Sequence, residues 1–329
     1  MDRPAVSVII PAYNAGRFVA HAIESVLEQS FNDVEILVVD DGSTDGTACR
    51  VATYGDRVVY VDRPHGGAGS ARNHGARLAN GEWLAFLDAD DFWYPHKLSD
   101  QIRLTRDAEQ VDLVLGNYHT IEESGRIEGE GFANHPMVGG RAETDRQDGI
   151  LFGPQDAGRY ARNRFGITST LLVRADLFHR VGGFDERFEV AEDIHLLYRL
   201  VARARSFGAI RRPGAAYRRR NGSASRQDAE RRHRVTIRAL TDLLRHHDLP
   251  VDMRDALRQE IARTRLDLAY LLARQRRRMA ATLAAGRAMF DRPSWEVLRT
   301  VGAVNRPIRP EPSCSPADPV EAFLFGMIV

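Results

Sequence analysis

The sequence predicts an α/β fold, with a mostly parallel sheet covered by helices on both faces and a helical C-terminal extension. Three observations support this prediction. In the first half of the chain, short β-branched apolar runs alternate with segments whose apolar residues recur at helical spacing. Two of the apolar runs end directly in clusters of carboxylates. The last third carries a long arginine-rich pattern at helical spacing.

The strands and helices of the first half follow one another in βα order. The predicted strands are Ala5–Ile10, Glu35–Val39, Arg57–Val61, Trp83–Leu87 and Val111–Asn117. A helical stripe runs from Phe18 to Leu27, and further helices are predicted over Thr47–Thr53, Ala71–Leu78 and Lys97–Ala108. Ser43 and Thr44 offer side-chain oxygens to cap the second of these helices.

Periodicity weakens in the middle of the chain. Residues Tyr118–Gly158 are rich in Gly, Glu and Arg and are predicted to form a mobile loop. Order returns with a strand over Ile167–Val173 and helices over Arg174–Val181 and Asp193–Arg203. From about Arg226 the pattern is helical, and the prolines between Arg306 and Pro319 indicate a linker or tail.

These patterns predict three parts of the chain. Residues 1–225 form the α/β domain, with halves of about 1–117 and 118–225. Residues 226–305 form the helical extension, and residues 306–329 form a proline-rich linker with an apolar tail.

Composition excludes several classes of protein. The chain has 329 residues, 43% of them hydrophobic and 28% charged, with a net charge of +1, so nothing indicates a nucleic-acid partner. Its two cysteines are far apart, which argues against a disulfide framework and fits a reducing compartment. We predict no signal peptide and no membrane-spanning helix, and expect a cytoplasmic protein.

Acidic clusters at two strand ends are the strongest chemical signal. Asp88, Asp90 and Asp91 follow one apolar run, and Asp40 and Asp41 follow another. In a parallel sheet the carboxyl ends of neighbouring strands meet at one edge, so the clusters should converge. Grouped carboxylates become tolerable when they share a divalent cation, and oxygen ligands suit Mg²⁺ or Mn²⁺. The alternative is a solvated turn in which an aspartate caps the next helix.

Five motifs in a fixed order carry a resemblance to a known family. Together they resemble the family 2 glycosyltransferases of GT-A fold over roughly residues 5–225. The motifs are SVIIPAYN from Ser7, VVDDGSTDGT from Val38, GSARNHGA from Gly69, GEWLAFLDADD from Gly81 and GGFDERFEVAEDIHLLYRL from Gly182. The resemblance implies a nucleotide-sugar donor, a divalent metal and transfer with inversion at the anomeric carbon.

The resemblance also implies roles for individual residues. Asp193 would be the general base, with Glu192 supporting it or touching the acceptor. Asp90 and Asp91 would lie nearest the metal and the diphosphate, with Asp88 near the ribose. A turn at Gly182, Gly183 and Phe184 would face the acceptor. The nucleotide-binding set would comprise Pro11, Tyr13, Asn14, Asp40, Asp41, Arg72, Asp88 and Ala89.

Four of these residues also have a purely structural interpretation. Tyr13 would pack at a strand end, Asp41 would cap a helix, and Arg72 would be a surface arginine. Asp193, in the first turn of a helix, would complement the helix dipole.

Other functions fit the sequence less well. The glycine-rich loop HGGAGSARNHG does not match a dinucleotide fingerprint, because residue 72 is arginine where the third glycine belongs. A nucleotide-sugar-binding partner protein without transferase activity and a nucleotidyltransferase remain as alternatives. The processive synthases of the family carry a Q-x-x-R-W motif that is absent from the later part of this chain, so we expect transfer of a single sugar.

The basic segments leave several partners open. Arg218 to Arg220 would either close over the diphosphate or form a solvated basic edge. The arginine-rich helices after residue 226 would contact the inner face of the plasma membrane, a second copy in a homodimer, or only solvent. The acceptor is expected to be a saccharide or a lipid-linked sugar, in cell-surface polysaccharide or glycolipid assembly.

Overall fold

A computed structural model describes residues 3–108, 110–139, 149–219 and 228–291. The strands are β1 (Val6–Ala12), β2 (Val34–Asp40), β3 (Val59–Asp62), β4 (Trp83–Phe86), β5 (Phe92–Trp93), β6 (Val111–Glu122), β7 (Ile127–Glu130), β8 (Gly149–Phe152), β9 (Leu172–Arg174) and β10 (Ser206–Arg219). The helices are α1 (Val19–Leu27), α2 (Thr47–Ala52), α3 (Ala68–Leu78), α4 (Lys97–Asp107), α5 (Ala157–Arg162), α6 (Ala175–Arg180), α7 (Glu192–Arg203), α8 (Ala229–His246), α9 (Val251–Arg274) and α10 (Arg278–Asp291).

One sheet organises the molecule, in the order β3-β2-β1-β4-β9-β6-β10-β5, with β7 on β6 and β8 on β10. Strands β3, β2, β1 and β4 are all parallel, so their carboxyl ends lie at one edge. Beyond β4 the sheet is mixed, because β9 runs antiparallel to both β4 and β6. The predicted α/β class is confirmed.

Both faces of the parallel half are covered. Along β1, Ile9 belongs to one apolar core, whereas Val8 and Ile10 belong to the other. Alternate residues of a strand point to opposite faces, so a nearly continuous apolar run such as VSVII requires helices on both sides.

The prediction of a mobile loop over Tyr118–Gly158 is wrong in part, because the region contains strands. Strand β6 extends to Glu122 and forms a hairpin with β7, whose turn contains Gly125 at φ +90°. Strand β8 lies within the same region and pairs with β10, more than fifty residues further along the chain. A pairing at that distance leaves no local periodicity, which is why the sequence pattern did not indicate it.

Strand β10 was not predicted at all. Its sequence places two arginines and Pro213 between apolar runs, and its register on β6 shifts on either side of Pro213. Proline is tolerated in a strand at such irregularities. The strand is therefore broken in its sequence pattern but continuous in its pairing.

Two local predictions also need correction. The predicted strand at Ile167–Val173 starts with a 3₁₀ turn over Thr168–Thr170, because the Thr170 hydroxyl bonds the backbone of Ile167. Ser43 and Thr44 do not cap α2, since both bond Asn14 instead. The Asp45 carboxylate accepts the hydrogen bond from the Thr47 backbone N–H at the start of α2.

The helical extension is confirmed as far as residue 291. The Tyr198 hydroxyl on α7 donates to the Glu260 carboxylate on α9 at 2.7 Å, and Asp252 accepts from the Gly158 backbone N–H at 3.0 Å. The extension thus packs directly on the sheet domain, and the predicted division at residue 225 stays a prediction. Among the described residues, none of the helices has both the length and the apolar character to cross a bilayer. The predicted linker and tail at 306–329 lie outside the described residues.

Lys97, the single lysine of the chain, is buried at the start of α4. Its Nζ atom lies 3.7 Å from the centroid of the Trp93 ring and has no hydrogen-bond partner among the described residues. Burial lowers the pKa of this amine well below its usual value, so the unfolded chain holds the proton more tightly than the folded one.

We therefore expect Lys97→Met to stabilise the fold by about 1–3 kcal/mol, because methionine fills similar volume without a buried amine. Stability of the unmodified chain should rise with pH as Lys97 loses its proton, and the variant should lack this contribution. Urea unfolding of both proteins between neutral and alkaline pH measures the difference. A variant less stable than the parent at every pH would show instead that the contact with Trp93 dominates.

Candidate active site

Hydrogen bonds join three strand ends at the carboxyl edge of the sheet, those of β1, β2 and β3. Asn14, just after β1, exchanges hydrogen bonds with Ser43 and Thr44 after β2. The backbone N–H of Arg63, after β3, donates to the Asp40 carbonyl at 3.0 Å. The convergence of the strand ends was predicted from the parallel order of the strands. Pro11 lies within β1 opposite Val39, one residue before the strand ends.

The carboxylates after β2 are buried and fully engaged. Asp41 accepts hydrogen bonds from the backbone N–H groups of Gly66 and Gly67 and from the Arg63 guanidinium, at 2.7–3.1 Å. Asp40 accepts from the Ser43 backbone N–H and from the Tyr60 hydroxyl. With its side chain 3% exposed, Asp41 organises the glycine-rich loop before α3. Its predicted contact with a nucleotide base stays a prediction.

Tyr13 is the exposed aromatic side chain at this edge. It is 52% exposed, and its ring lies 4.3 Å from the ring of His65, centroid to centroid. His65 in turn contacts the backbone carbonyl of Asp41. The pair offers an aromatic surface beside the loop that Asp41 holds.

The residues of the acidic turn after β4 differ in burial. Ala89 is buried, whereas Asp88 and Asp90 are only partly buried. Asp91 is buried, and its carboxylate accepts from the Ser169 hydroxyl at 2.6 Å and from the Arg218 backbone N–H at 2.9 Å. Burial and the neighbouring Asp90 and Asp88 carboxylates raise the pKa of Asp91 well above its usual value. Metal binding by Asp91 stays a prediction. The two hydrogen bonds of its carboxylate hold the acidic turn against Ser169 and Arg218.

Arg72, on α3, connects two predicted halves of the site. Its guanidinium donates to Asp88 at 2.5 Å and to Glu192 at 3.1 Å. The group is buried and lies over the Phe184 ring, 5.1 Å from its centroid. It is therefore not the surface arginine of the structural interpretation.

The Glu192–Asp193 pair opens α7 directly after Ala191, which has a left-handed φ of +66°. Burial and the adjacent Asp193 carboxylate raise the pKa of Glu192 to about 7. Asp193 is partly buried, and its carboxylate accepts from the Ile194 backbone N–H at 2.7 Å. Arg164 is close enough to interact electrostatically with Asp193. The two carboxylates are thus in distinct environments, one paired with Arg72 and one not.

The glycine turn is held by α3 and α7. Asn73 exchanges two hydrogen bonds of 2.8 Å with the backbone of Phe184, and Arg199 donates to the Val181 and Gly183 carbonyls. Gly182 and Gly183 both have positive φ, so a side chain at either position would be strained. Phe184 is buried beneath Arg72, so it supports the arginine, and its predicted contact with an acceptor stays a prediction.

Sequence reasoning missed several supporting residues. Asn73 and Ser70 share Glu186, and Ser169 and Arg218 hold the acidic turn. Arg218 is mostly buried and also donates to the Asp90 carbonyl, so it is not a solvated edge. Arg219 pairs with Glu128, and Arg220 lies outside the described residues. Ser70 and Asn73 stood within the motif GSARNHGA and Glu186 within the motif that begins at Gly182, whereas Ser169 and Arg218 stood in none of the five motifs.

A second polar cluster lies behind the glycine turn. His195 and His247 contact Asp242 at 3.2 and 3.6 Å, which the spacing of the histidines did not indicate. Arg187 also pairs with Asp242, and nearby Arg199 adds positive charge, both unfavourable to a cation. A cavity of about 380 Å³ next to the cluster is lined by Arg180, Val181, Arg199, Ala202, Arg203, His247, Asp248 and Leu249. It is separate from the carboxyl edge.

Comparison with known sequences finds relatives of one kind. Residues 7–165 match the sequence model described as glycosyl transferase family 2. An uncharacterized glycosyltransferase of Rickettsia typhi is 29% identical over 60% of this chain and 59% of its own length. The chain thus spans about three fifths of that relative. A UDP-Glc:α-D-GlcNAc-diphosphoundecaprenol β-1,3-glucosyltransferase of Escherichia coli is 37% identical over 38% of this chain and 49% of its own.

Solved structures show the same architecture. TarS 1–349 of S. aureus, crystallised with UDP-GlcNAc, superposes with a TM-score of 0.66 at 20% identity, over 90% of this chain and 83% of that one. A mannosyltransferase of Pyrobaculum calidifontis, in complex with GDP-Man and Mn²⁺, gives a TM-score of 0.58 at 19% identity, over 92% and 80%. At these identities the likeness concerns the GT-A fold alone.

Proposed function

We propose that this chain, whose residues 7–165 match the sequence model of glycosyl transferase family 2, transfers a single sugar from a nucleoside diphosphate sugar to a hydroxyl acceptor, with inversion and with a divalent metal. The contacts of Arg72 are the main support for this proposal. Arg72 bonds both Asp88, at the carboxyl edge of the sheet, and Glu192, next to Asp193. The Arg72 guanidinium thereby links Asp88, on the predicted donor side, with Glu192, next to the predicted base.

On the donor side, we assign the base-binding surface to Tyr13. An exposed ring can stack on a nucleotide base of any kind, so this residue does not select the nucleotide. UDP is proposed because two of the similar proteins are described with UDP-linked sugars. Asp40 and Asp41 then act through the loop that they hold.

The residues of the acidic turn fit a divalent cation. Asp88 and Asp90 bring carboxylate oxygens to the partly exposed side of the turn, and carboxylates are the preferred protein ligands of Mg²⁺ and Mn²⁺. We assign the cation to Asp90 with Asp88, and Asp91 anchors the turn. When bound, the metal would neutralise charge on the departing diphosphate.

On the acceptor side, we assign the general base to Asp193. Its carboxylate takes the proton of the acceptor hydroxyl while that oxygen bonds to the anomeric carbon. The bond from the anomeric carbon to the diphosphate breaks on the opposite face, and the diphosphate leaves with the electron pair. Glu192 is less suited to this role, because the ion pair with Arg72 already occupies its carboxylate.

The proposed acceptor class comes from one of the similar proteins. A lipid-diphosphate-linked sugar is named for the E. coli relative, and we propose an acceptor of this kind or a free saccharide, in assembly of cell-surface glycans.

Thermal unfolding with UDP, GDP, dTDP and CMP, each with and without Mn²⁺, tests the donor site. A ligand at about 100 times its dissociation constant should add roughly 2.7 kcal/mol, a few degrees for this chain. We expect UDP to give this shift only with Mn²⁺, and Asp90→Asn to abolish the metal-dependent part. Asp56→Asn, at an exposed aspartate after α2, is the matched control. No shift with any diphosphate, in a folded chain, would contradict the proposed donor site.

A further inference from the structure

The outer face of α10 is apolar and exposed. Met279, Leu283 and Phe290 are 84%, 64% and 91% exposed. At 100° per residue, positions 279, 283 and 290 fall within about 40° of one another around the helix axis. The opposite face is small and buried, because Ala281, Ala285 and Ala288 pack against α9. We call Met279, Leu283 and Phe290 the outer stripe.

Arginines flank the outer stripe. Arg274, Arg276 and Arg278 are exposed at the turn between α9 and α10, and Arg287 is exposed further along α10. Within the described ranges, no carboxylate forms an ion pair with any of these four arginines, whereas neighbouring Arg277 pairs with Glu230. Asp291, the one acidic residue of α10, is paired with Arg265. The face is therefore apolar along its centre and positively charged at its border.

We propose that the outer stripe and its arginines dock on a bilayer surface that contains anionic phospholipid. An apolar stripe beside unpaired cations matches the boundary between acyl chains and negatively charged headgroups. Arginine suits this border because its planar guanidinium binds phosphate oxygens in pairs. Docking would hold the α9–α10 hairpin flat on the surface, with α10 nearest the lipid.

A second copy of the chain fits this face less well. In a two-fold contact of stripe against stripe, the arginines of the turn would approach their symmetry mates if the two helices run parallel, and Arg287 of the other copy if they run antiparallel. Repulsion between these like charges opposes such a dimer, whereas the same charges favour an anionic surface. The inference does not depend on the proposed transfer reaction.

Sedimentation of the full chain with vesicles tests the proposal. We expect binding to vesicles that contain phosphatidylglycerol, little binding to pure phosphatidylcholine, and release by salt. The triple variant Met279→Ser, Leu283→Ser, Phe290→Ser should bind at least about tenfold more weakly. Arg274→Gln, Arg276→Gln, Arg278→Gln should lose about tenfold or more on anionic vesicles only.

Matched controls are Ile127→Ser, an exposed apolar residue on β7, and Arg50→Gln, an exposed arginine on α2. Unfolding temperature and mass by light scattering are measured for every protein. Three results would overturn the proposal: no binding to anionic vesicles, equal binding to both vesicle types, or binding that survives both triple variants. A dimer that the stripe variant converts to a monomer, without vesicle binding, would assign the face to a second copy.

Discussion

Asp193→Asn is expected to lower the turnover number by a factor of about 10² to 10⁴, which is the usual contribution of a positioned general base. Asparagine keeps the shape of the side chain but cannot accept the proton of an acceptor hydroxyl. The unfolding temperature and its increase with UDP and Mn²⁺ should change little, because Asp193 does not bond the acidic turn among the described residues. Release of nucleoside diphosphate from the active donor, with a glycolipid acceptor preparation, gives the rate.

Two further variants sharpen this experiment. Asp176→Asn removes an exposed carboxylate from the first turn of α6 and should leave the rate unchanged, which controls for a simple helix-dipole effect. Glu192→Gln should reduce the rate less than Asp193→Asn. The reverse order would transfer the role of base to Glu192. Unchanged rates in both variants would refute a base in this pair.

The second large effect concerns stability. Arg72→Met is expected to destabilise the fold by about 3 kcal/mol at neutral pH, at the lower end of the cost of breaking a buried ion pair. Glu192 would lose its cation while its carboxylate stays mostly buried, and Asp88, nearer the surface, can recover hydration. For a chain of this size the unfolding temperature should fall by roughly 4 °C. Arg77→Met, an exposed arginine on the same helix, should cost little.

The pH dependence gives this prediction a second readout. Glu192 already has a pKa of about 7 in the folded chain, above that of an exposed carboxyl, so the folded state binds the proton more tightly. The stability that proton binding to Glu192 contributes is therefore complete at acidic pH and is lost as pH rises through about 7. Without Arg72 the ionised carboxylate costs more, so the destabilisation should shrink toward pH 5 and grow above neutrality. A penalty independent of pH would mean that lost packing on Phe184, not charge, dominates.

The sequence alone determined the fold class and the order of the first strands. Nearly continuous apolar runs such as VSVII and ILVV indicate strands buried on both faces, because side chains alternate between the two faces of a strand. It also placed the acidic clusters at the carboxyl edge, because parallel strands bring their ends to the same side. The five motifs together resemble glycosyl transferase family 2, whose sequence model matches residues 7–165.

Only the tertiary structure decided what each charged side chain does. Asp88, Asp90 and Asp91 look alike in sequence, yet one pairs with Arg72 and one is buried against Ser169. Likewise, β10 and the β8 pairing depend on partners far along the chain, and the bridge from Asp88 through Arg72 to Glu192 joins residues about a hundred positions apart. Local periodicity records which face of an element is apolar. The cost of burying a charge depends on the partner that reaches it, and that partner is set by packing in three dimensions.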